Sequence, residues 1–262
     1  MTGVDEQAEL TEAELMHDYE TRMPAPARER LGVAAARIGG GVALAMPNDP
    51  VSYWSKALGF GVTEPFTLAV LDEVLDFYRT HGVRQAVIQL VPSVLPDGFA
   101  GRGLERTSTW VKLGGDPAQV AAAPSDLRIA AVTPETAGAW ADAVLDTFGM
   151  PTGDLTAMLA STAGRAHWRP FAAWDGDEVV AGANVYLNGD AADLNAAATK
   201  PSHRGRGAQS ALIAARARAA AGAGCRRLFA ETWKGEGNQS LSNMVRSGLA
   251  PLYERENWTV RF

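Results

Sequence analysis

The sequence predicts an α/β (α+β) protein made of two like halves, each a mixed and mostly antiparallel sheet flanked by helices. Three observations lead there. Strand-like runs stand ahead of and between helical ones, which is the order that builds a layered sheet and helix domain. The succession hairpin, strand, glycine-terminated helix, strand occurs once in each half, although the residues themselves hardly match. GGDPAQVAAAPSD, residues 114–126, carries the proline, glycine and small residues of a connection, which sets domain boundaries at 1–120 and 121–262.

In the first half, TEAELMHDYETRM has helical spacing, with Leu15 and Tyr19 four apart. GVAAARI and VALAM, joined by Gly39, Gly40 and Gly41, read as a hairpin. TLAVLDEVLDFYRTHG sets Leu68, Leu71, Leu75 and Tyr78 on one helical stripe and stops at Gly82. VRQAVIQLV follows as a buried strand, and ERTSTWVKL alternates as another. In the second half LRIAAVT is a strand, and TPET starts a helix with Thr133 as N-cap and Pro134 at the first helical position. FAAWDGDEVVAGANVYL reads as a hairpin turned at Asp175, Gly176 and Asp177. ADLNAAAT is a strand, GAQSALIAARARAAAG a helix, CRRLFAETW a strand, Asn238 to Ser247 a short helix, and Leu249 onward a closing strand pair.

Composition narrows the function. The chain has 262 residues, 47% hydrophobic and 21% charged, with a net charge of -6, which is ordinary for a globular protein and argues against generic nucleic-acid binding. Its one cysteine, Cys225, excludes an internal disulfide, and the polar start MTGVDEQAEL lacks the order of a signal peptide, so the cytoplasm is the expected compartment. No apolar run reaches the roughly 20 residues that span a bilayer. Four scattered histidines give no metal-ligand spacing.

Charge is uneven, however. Between Asp193 and Glu231 there is no acidic residue, whereas Lys200, Arg204, Arg206, Arg216, Arg218, Arg226 and Arg227 all fall there. Arg216 and Arg218 read as a solvated helix face. Within HRGRGAQSAL, Gly205 and Gly207 stand directly before a helix, whose first N–H groups and dipole make an anion site. Glycine lets the main chain approach a phosphate, and Arg204 and Arg206 add charge-assisted hydrogen bonds. The stretch lacks the Gly-Lys-Ser/Thr end of a P-loop and the third glycine of a dinucleotide fingerprint.

With NAAAT before it and RLFAET and GNQSLSN after it, this stretch resembles the GNAT N-acetyltransferase superfamily, whose signature is Gln/Arg-x-x-Gly-x-Gly/Ala. Arg204, Gly207 and Gln209 occupy the defined places, Gln209 departing from Gly/Ala. The resemblance covers Leu127 to Phe262, and Leu31 to Leu113 only in the order of elements, which implies two GNAT-like domains in tandem. In the first, GVTEPFTL stands at the loop: it has no arginine, Pro65 removes a donor and Glu64 repels phosphate, so that half is degenerate. AGRG at 100–103 precedes a strand, so no helix terminus backs it.

The resemblance implies acetyl-CoA, or another acyl-CoA, as co-substrate. Its pyrophosphate would rest on Arg204, Gly205, Arg206, Gly207, Ala208 and Gln209, and its pantetheine beside Ala197, Ala198 and Thr199, with Asn238 and Asn243 nearby. The implied partner is a small-molecule primary amine, for a monomer or a homodimer. The resemblance implies Asp193 as a candidate base, since it lies eleven residues before Arg204 where some members carry a catalytic carboxylate; Glu231 is second, and alternating geometry puts Asp193, Asn195, Ala197 and Thr199 on one strand face. Members of the family often carry a tyrosine acid on the last short helix. Here that count lands on Met244 or Val245, leaving Tyr253 as the substitute. Cys225 fits a small core residue better than a nucleophile, and Trp233 lies near the expected cleft. A GNAT-fold protein that only binds a CoA ester is the alternative.

Overall fold

Gly39 and Gly40, both at positive φ, turn the first hairpin: Ala34–Ile38 (β1) pairs antiparallel with Gly41–Ala45 (β2). The structure is a computed structural model that describes residues 4–121 and 123–262. It divides into two compact units, one running through Lys112 and including Leu252–Phe262, the other Leu113–Pro251. The closing segment, assigned by chain order to the second half, thus groups with the first.

In the first unit, Glu6–Thr21 (α1) is followed by a short helix, Ala25–Leu31 (α2), that Pro24 and Pro26 hide from periodicity. The strand Lys56–Leu58 (β3) lies antiparallel to β2, Leu68–Thr80 (α3) is capped by Thr67, and Gln85–Leu90 (β4) runs parallel to β3. Glu105–Gly115 (β5) and Ala250–Arg261 (β11) complete the order β1-β2-β3-β4-β11-β5. Of the predicted stripe on α3, Leu71, Leu75 and Tyr78 are buried and Leu68 is half-buried, and Val74 joins the buried face.

The carboxy-terminal segment is one twelve-residue strand, not a strand pair. Within it Arg255 is fully buried and pairs with Glu12 and, at 3.5 Å, with Glu9. Lys112, equally buried, also holds Glu12. Glu9 and Glu12 of α1 are therefore inside, where Arg255 and Lys112 supply the counter-charges.

Glycine and aromatic side chains fill the place where an anion loop would precede α3. Phe60, Phe66 and Phe99 are all buried and stack in series, with ring centroids 5.2 and 6.4 Å apart. A Cβ on Gly41 would meet the Phe60 ring at 2.7 Å.

In the second unit, Arg128–Ala131 (β6), Phe171–Asp175 (β7), Glu178–Asn188 (β8) and Ala191–Thr199 (β9) form an antiparallel run, and Arg227–Trp233 (β10) lies parallel to β9. Ala137–Thr147 (α4), Asp154–Ala160 (α5), Ala208–Gly222 (α6) and Gln239–Arg246 (α7) are its helices. Both units thus carry a helix between two neighbouring parallel strands: α3 between β3 and β4, α6 between β9 and β10. The start of α4 differs from the sequence reading. TPET closes a turn of its own, Thr136 Oγ1 accepting from the Thr133 N–H at 3.0 Å, so the helix begins at Ala137. Gly182 is fixed by α4, since a Cβ there would meet Trp140 Nε1 and Val144 Cγ2 at 2.5 Å.

One buried group in the first unit works against stability. Both Glu20 carboxylate oxygens are buried and without a hydrogen-bond partner among the described residues, and burial raises its pKa well above 4.5, Lys56 opposing and Asp49 reinforcing the rise. A raised folded-state pKa means the native chain keeps a proton that the unfolded chain gives up, so stability falls as pH rises from about 4.5 toward the folded value. Glu20→Gln mimics the neutral form. It should raise the Tm at pH 8 by about 3 °C or more and flatten the decline of Tm with pH, as followed by calorimetric scans.

Candidate active site

Residues Ala191 to Leu194 of β9 pair with Arg227 to Ala230 of β10, and there the ladder stops. β9 continues to Thr199 and β10 to Trp233, leaving main-chain donors and acceptors of β9 without a strand partner on that side. At the same place the β8–β9 register slips: Asn184 faces Asn195, Gly182 faces Ala198, and Ala183 alone spans Ala196 and Ala197. This is a β-bulge, with Ala196 at φ 49°. The bulge overturns the alternation read from the sequence. Asp193, Asn195 and Ala198 share a face, while Thr199, opposite Ala181, lies on the other, because one extra residue inverts every side chain after it.

From Thr199 the chain turns through a short 3₁₀ segment, Pro201–His203, and the glycine loop into α6. Gly205 and Gly207 both have positive φ, 81° and 77°. They serve different ends. Nothing lies within 4 Å of a Cβ built on Gly205, whereas one on Gly207 would meet the Pro124 carbonyl oxygen at 2.5 Å. Gly205 therefore faces open space, and Gly207 seats the loop on the segment that precedes β6.

That open space is a cleft of about 820 Å³. Its lining brings together Ala197, Ala198 and Thr199 of β9, Arg204, Gly205 and Gly207 of the loop, Ala208 and Gln209 of α6, and Asn238 and Asn243 at α7. The first four N–H groups of a helix have no intrahelical acceptor, so the start of α6 aims donors and a positive dipole end at this space. Arg204 is exposed, its Nε donating to Thr199 O at 3.4 Å. A polar rail joins the two helices: Gln209 Nε2 donates to Ser240 Oγ at 2.8 Å, Asn243 Nδ2 donates to Gln209 Oε1 at 2.6 Å, and Arg246 donates to Asn243 Oδ1. Asn238 Oδ1 caps α7 by accepting from Ser240 and Leu241 N–H, and its Nδ2 donates to Thr232 Oγ1 at 3.1 Å.

Arg206 departs from the expected role. It is absent from the cleft lining and is held by two carboxylates, Asp126 at 2.9 Å from Nε and Asp175 at 2.6 Å from Nη1. Hydrogen bonding to Arg206 keeps both acids below the usual carboxylate range. Ser125 Oγ adds a bond to Arg206 O at 2.8 Å. The residues read as a connection, 124–126, are thus the bed of the loop.

The candidate catalytic residues are scattered. Asp193 is 4% exposed and does not line the cleft; its charge acts on Arg216. Arg216 is itself fully buried, which corrects its reading as a solvated residue, while Arg218 is exposed. Burial pushes the Arg216 pKa down to about 9, with Asp193 opposing the fall. Glu231 is half-buried on β10, one residue beyond the last β9 pair. Tyr253 lies in the first unit, its hydroxyl donating to Glu9 Oε1 at 2.8 Å. Burial and then Glu9 hold that phenol far above its ordinary pKa. Met244 is buried and Val245 exposed. Cys225 is buried, with its pKa raised by burial, as befits a core thiol. Trp233 is 49% exposed and covers Gly235.

Sequence reasoning missed Thr147, Phe148, Ser210, Ser240 and Arg246, which also line the cleft. Arg246 alone left a signal, a cation three residues after Asn243 on one helix face.

The sequence of residues 139–244 matches the model of the acetyltransferase (GNAT) family. Residues 139–244, within the second unit, are a GNAT acetyltransferase domain. Solved structures share the fold of the whole chain. A GCN5-related N-acetyltransferase from Kribbella flavida aligns with TM-score 0.67 and 18% identity over 99% of this chain and 96% of that one. A tandem GNAT protein from the clavulanic acid biosynthesis pathway aligns with TM-score 0.59 and 15% identity over 100% and 97%. A GCN5-related N-acetyltransferase from Sphaerobacter thermophilus gives 0.56 and 13% over 85% and 81%. No curated protein matched the sequence. The first unit is GNAT-like by fold, with aromatic rings where the GNAT domain of the second unit has its loop. Among the described residues no helix is long and apolar enough to cross a membrane.

The two loop glycines separate experimentally. Gly205→Ala should cost only the left-handed backbone penalty of about 1–2 kcal/mol. Gly207→Ala should cost visibly more in the same urea melts, because Pro124 must also shift.

Proposed function

We propose that the chain is an acyl-CoA-dependent N-acyltransferase that uses the cleft of its GNAT domain, with acetyl-CoA as acyl donor and a small-molecule primary amine as acceptor. The observation that carries the reading is that one cleft joins an anion loop to a strand edge left open by the end of the β9–β10 ladder. A pyrophosphate suits the amides from Gly205 to Gln209 with Arg204 beside them. The space over Gly205, empty to 4 Å, admits it. An extended arm bearing amides suits the main chain of Ala197 to Thr199 and the carboxamides of Asn238 and Asn243.

Bound acyl-CoA supplies an acyl group activated as a thioester. The chain supplies orientation and charge: a β9 backbone N–H at the bulge donates to the acyl carbonyl as charge builds there. Glu231, where β10 parts from β9 just outside the cleft lining, accepts a proton from the acceptor's ammonium, and the free amine then attacks the thioester carbonyl. Asp193 is set against Arg216 and serves the scaffold instead. Among the described residues no tyrosine lines the cleft, and in this reading the departing thiolate takes its proton from solvent.

Isothermal calorimetry should detect coenzyme A binding. Arg204→Ala combined with Gly205→Asp should weaken it about 100-fold or more, since a charged hydrogen bond contributes about 1.5–3 kcal/mol and a carboxylate is added to the phosphate site. Aspartate is chosen because it tolerates positive φ. Unchanged affinity would remove the site.

Glu231→Gln should lower amine-dependent thiol release at neutral pH on the order of 100-fold. Part of the loss should return as pH rises and the amine deprotonates in solution. The absent cleft tyrosine favours a second reading, binding without turnover. Tight coenzyme A binding with no thiol release across a panel of amines would establish it.

A further inference from the structure

Arg216 invites explanation, because an arginine on a helix that packs against a sheet has no need to be fully buried. Its Nε donates to Leu212 O at 3.1 Å, one turn back, which anchors the guanidinium to α6. Its Nη1 donates to Asn184 O at 2.9 Å and to Asn195 O at 3.3 Å. Those two residues face each other across β8 and β9, and they are the last matched pair before the register slips. The very next residue, Ala196, holds a left-handed φ of 49°, which a non-glycine residue keeps only where its surroundings impose it. Asp193, on the same strand face as Asn195, carries a negative charge that opposes the fall in pKa that burial imposes on the guanidinium.

The same helix begins with the anion loop. Ala208 and Arg216 are eight residues apart on α6, about 12 Å along its axis. One rigid element therefore presents the loop amides at its first turn and, two turns on, the guanidinium whose Nη1 fastens the strands beside the bulge.

We propose that Arg216, partnered by Asp193, is a positioning residue that clamps the Ala196–Ala197 bulge of β9 at a fixed reach from the Gly205–Gln209 loop. An acyl-CoA gripped by its pyrophosphate then meets the β9 backbone with its acyl carbonyl in register. Lysine cannot substitute, because Nη1 reaches both strand carbonyls while a second nitrogen, Nε, bonds the helix at Leu212 O, and an ammonium has one nitrogen for both places. The inference rests on the acyl-transfer reading for its functional consequence, but the clamp itself is a property of the chain alone.

The test uses the full chain in two variants. Arg216→Met with Asp193→Asn removes both charges, so no carboxylate is left buried without its counter-charge. Arg216→Lys keeps the charge and decides the matter if the double variant does not fold. Amide hydrogen exchange at Ala196, Ala197 and Ala198 is followed by NMR without ligand. Calorimetry with coenzyme A and steady-state thiol release with acetyl-CoA and an accepted amine complete the set.

The expected result is exchange at the bulge at least ~10-fold faster than in the parent, a kcat lower on the order of 100-fold, as for a misplacement of about 1 Å, and coenzyme A affinity close to the parent's. Parental exchange rates at the three amides in a folded variant would overturn the clamp. So would a parental kcat, or a kcat loss matched by an equal loss of coenzyme A affinity. Should the parent itself neither bind coenzyme A nor release thiol, the acyl-transfer reading fails, and hydrogen exchange still decides the clamp.

Discussion

The constraint on which the second unit depends is the early end of a parallel strand pair. Four residues of β9 are bonded to β10, and then β9 bulges and runs on alone into a loop and a helix. A sheet that loses a neighbour exposes peptide groups that must find partners elsewhere. Here the neighbouring space is the cleft, and the helix that follows contributes its own unsatisfied N–H groups to the same space. Main chain rather than side chain supplies most of the site, which explains why small residues line it.

Around that opening, side chains act mainly as struts. Arg206 ties the loop to Asp126 and Asp175, and Ser125 and Pro124 sit directly under it. Gln209, Ser240 and Asn243 bridge α6 and α7 across the cleft floor. Arg216 gathers two carbonyls at the bulge from inside. Of the arginines in the basic segment, Arg204 alone among Arg204, Arg206 and Arg216 lines the cleft. A local excess of positive charge in an acidic chain is therefore shared between the cleft lining and internal fastening.

The first unit shows what the same order of elements becomes without the opening. Its helix between parallel strands is capped by the Thr67 side chain, which accepts from the Val70 N–H at 3.2 Å. Three phenylalanine rings occupy the ground in front. Such a terminus is satisfied from within the protein. Its interior also holds ion pairs, Glu12 with Lys112 and Arg255, that an apolar core would not need.

Much of this was legible in the sequence, because local chemistry decided it. The glycine turns, the stripe of α3, the Gly-Arg-Gly entry to α6, the Asn238 cap and the repeated order of elements each follow from a few neighbouring residues, and so does the degeneracy of GVTEPFTL. Three things were decided only by the tertiary structure. Alternation along β9 failed because a bulge depends on what lies opposite it, here a single Ala183. The burial of Arg216, Arg255 and Lys112 was invisible, because a charge goes inside only where distant residues supply its partners. Tyr253 and Arg206 were placed by contacts more than 200 and about 80 positions away in the chain, with Glu9 and Asp126, and no local pattern encodes a partner at that separation.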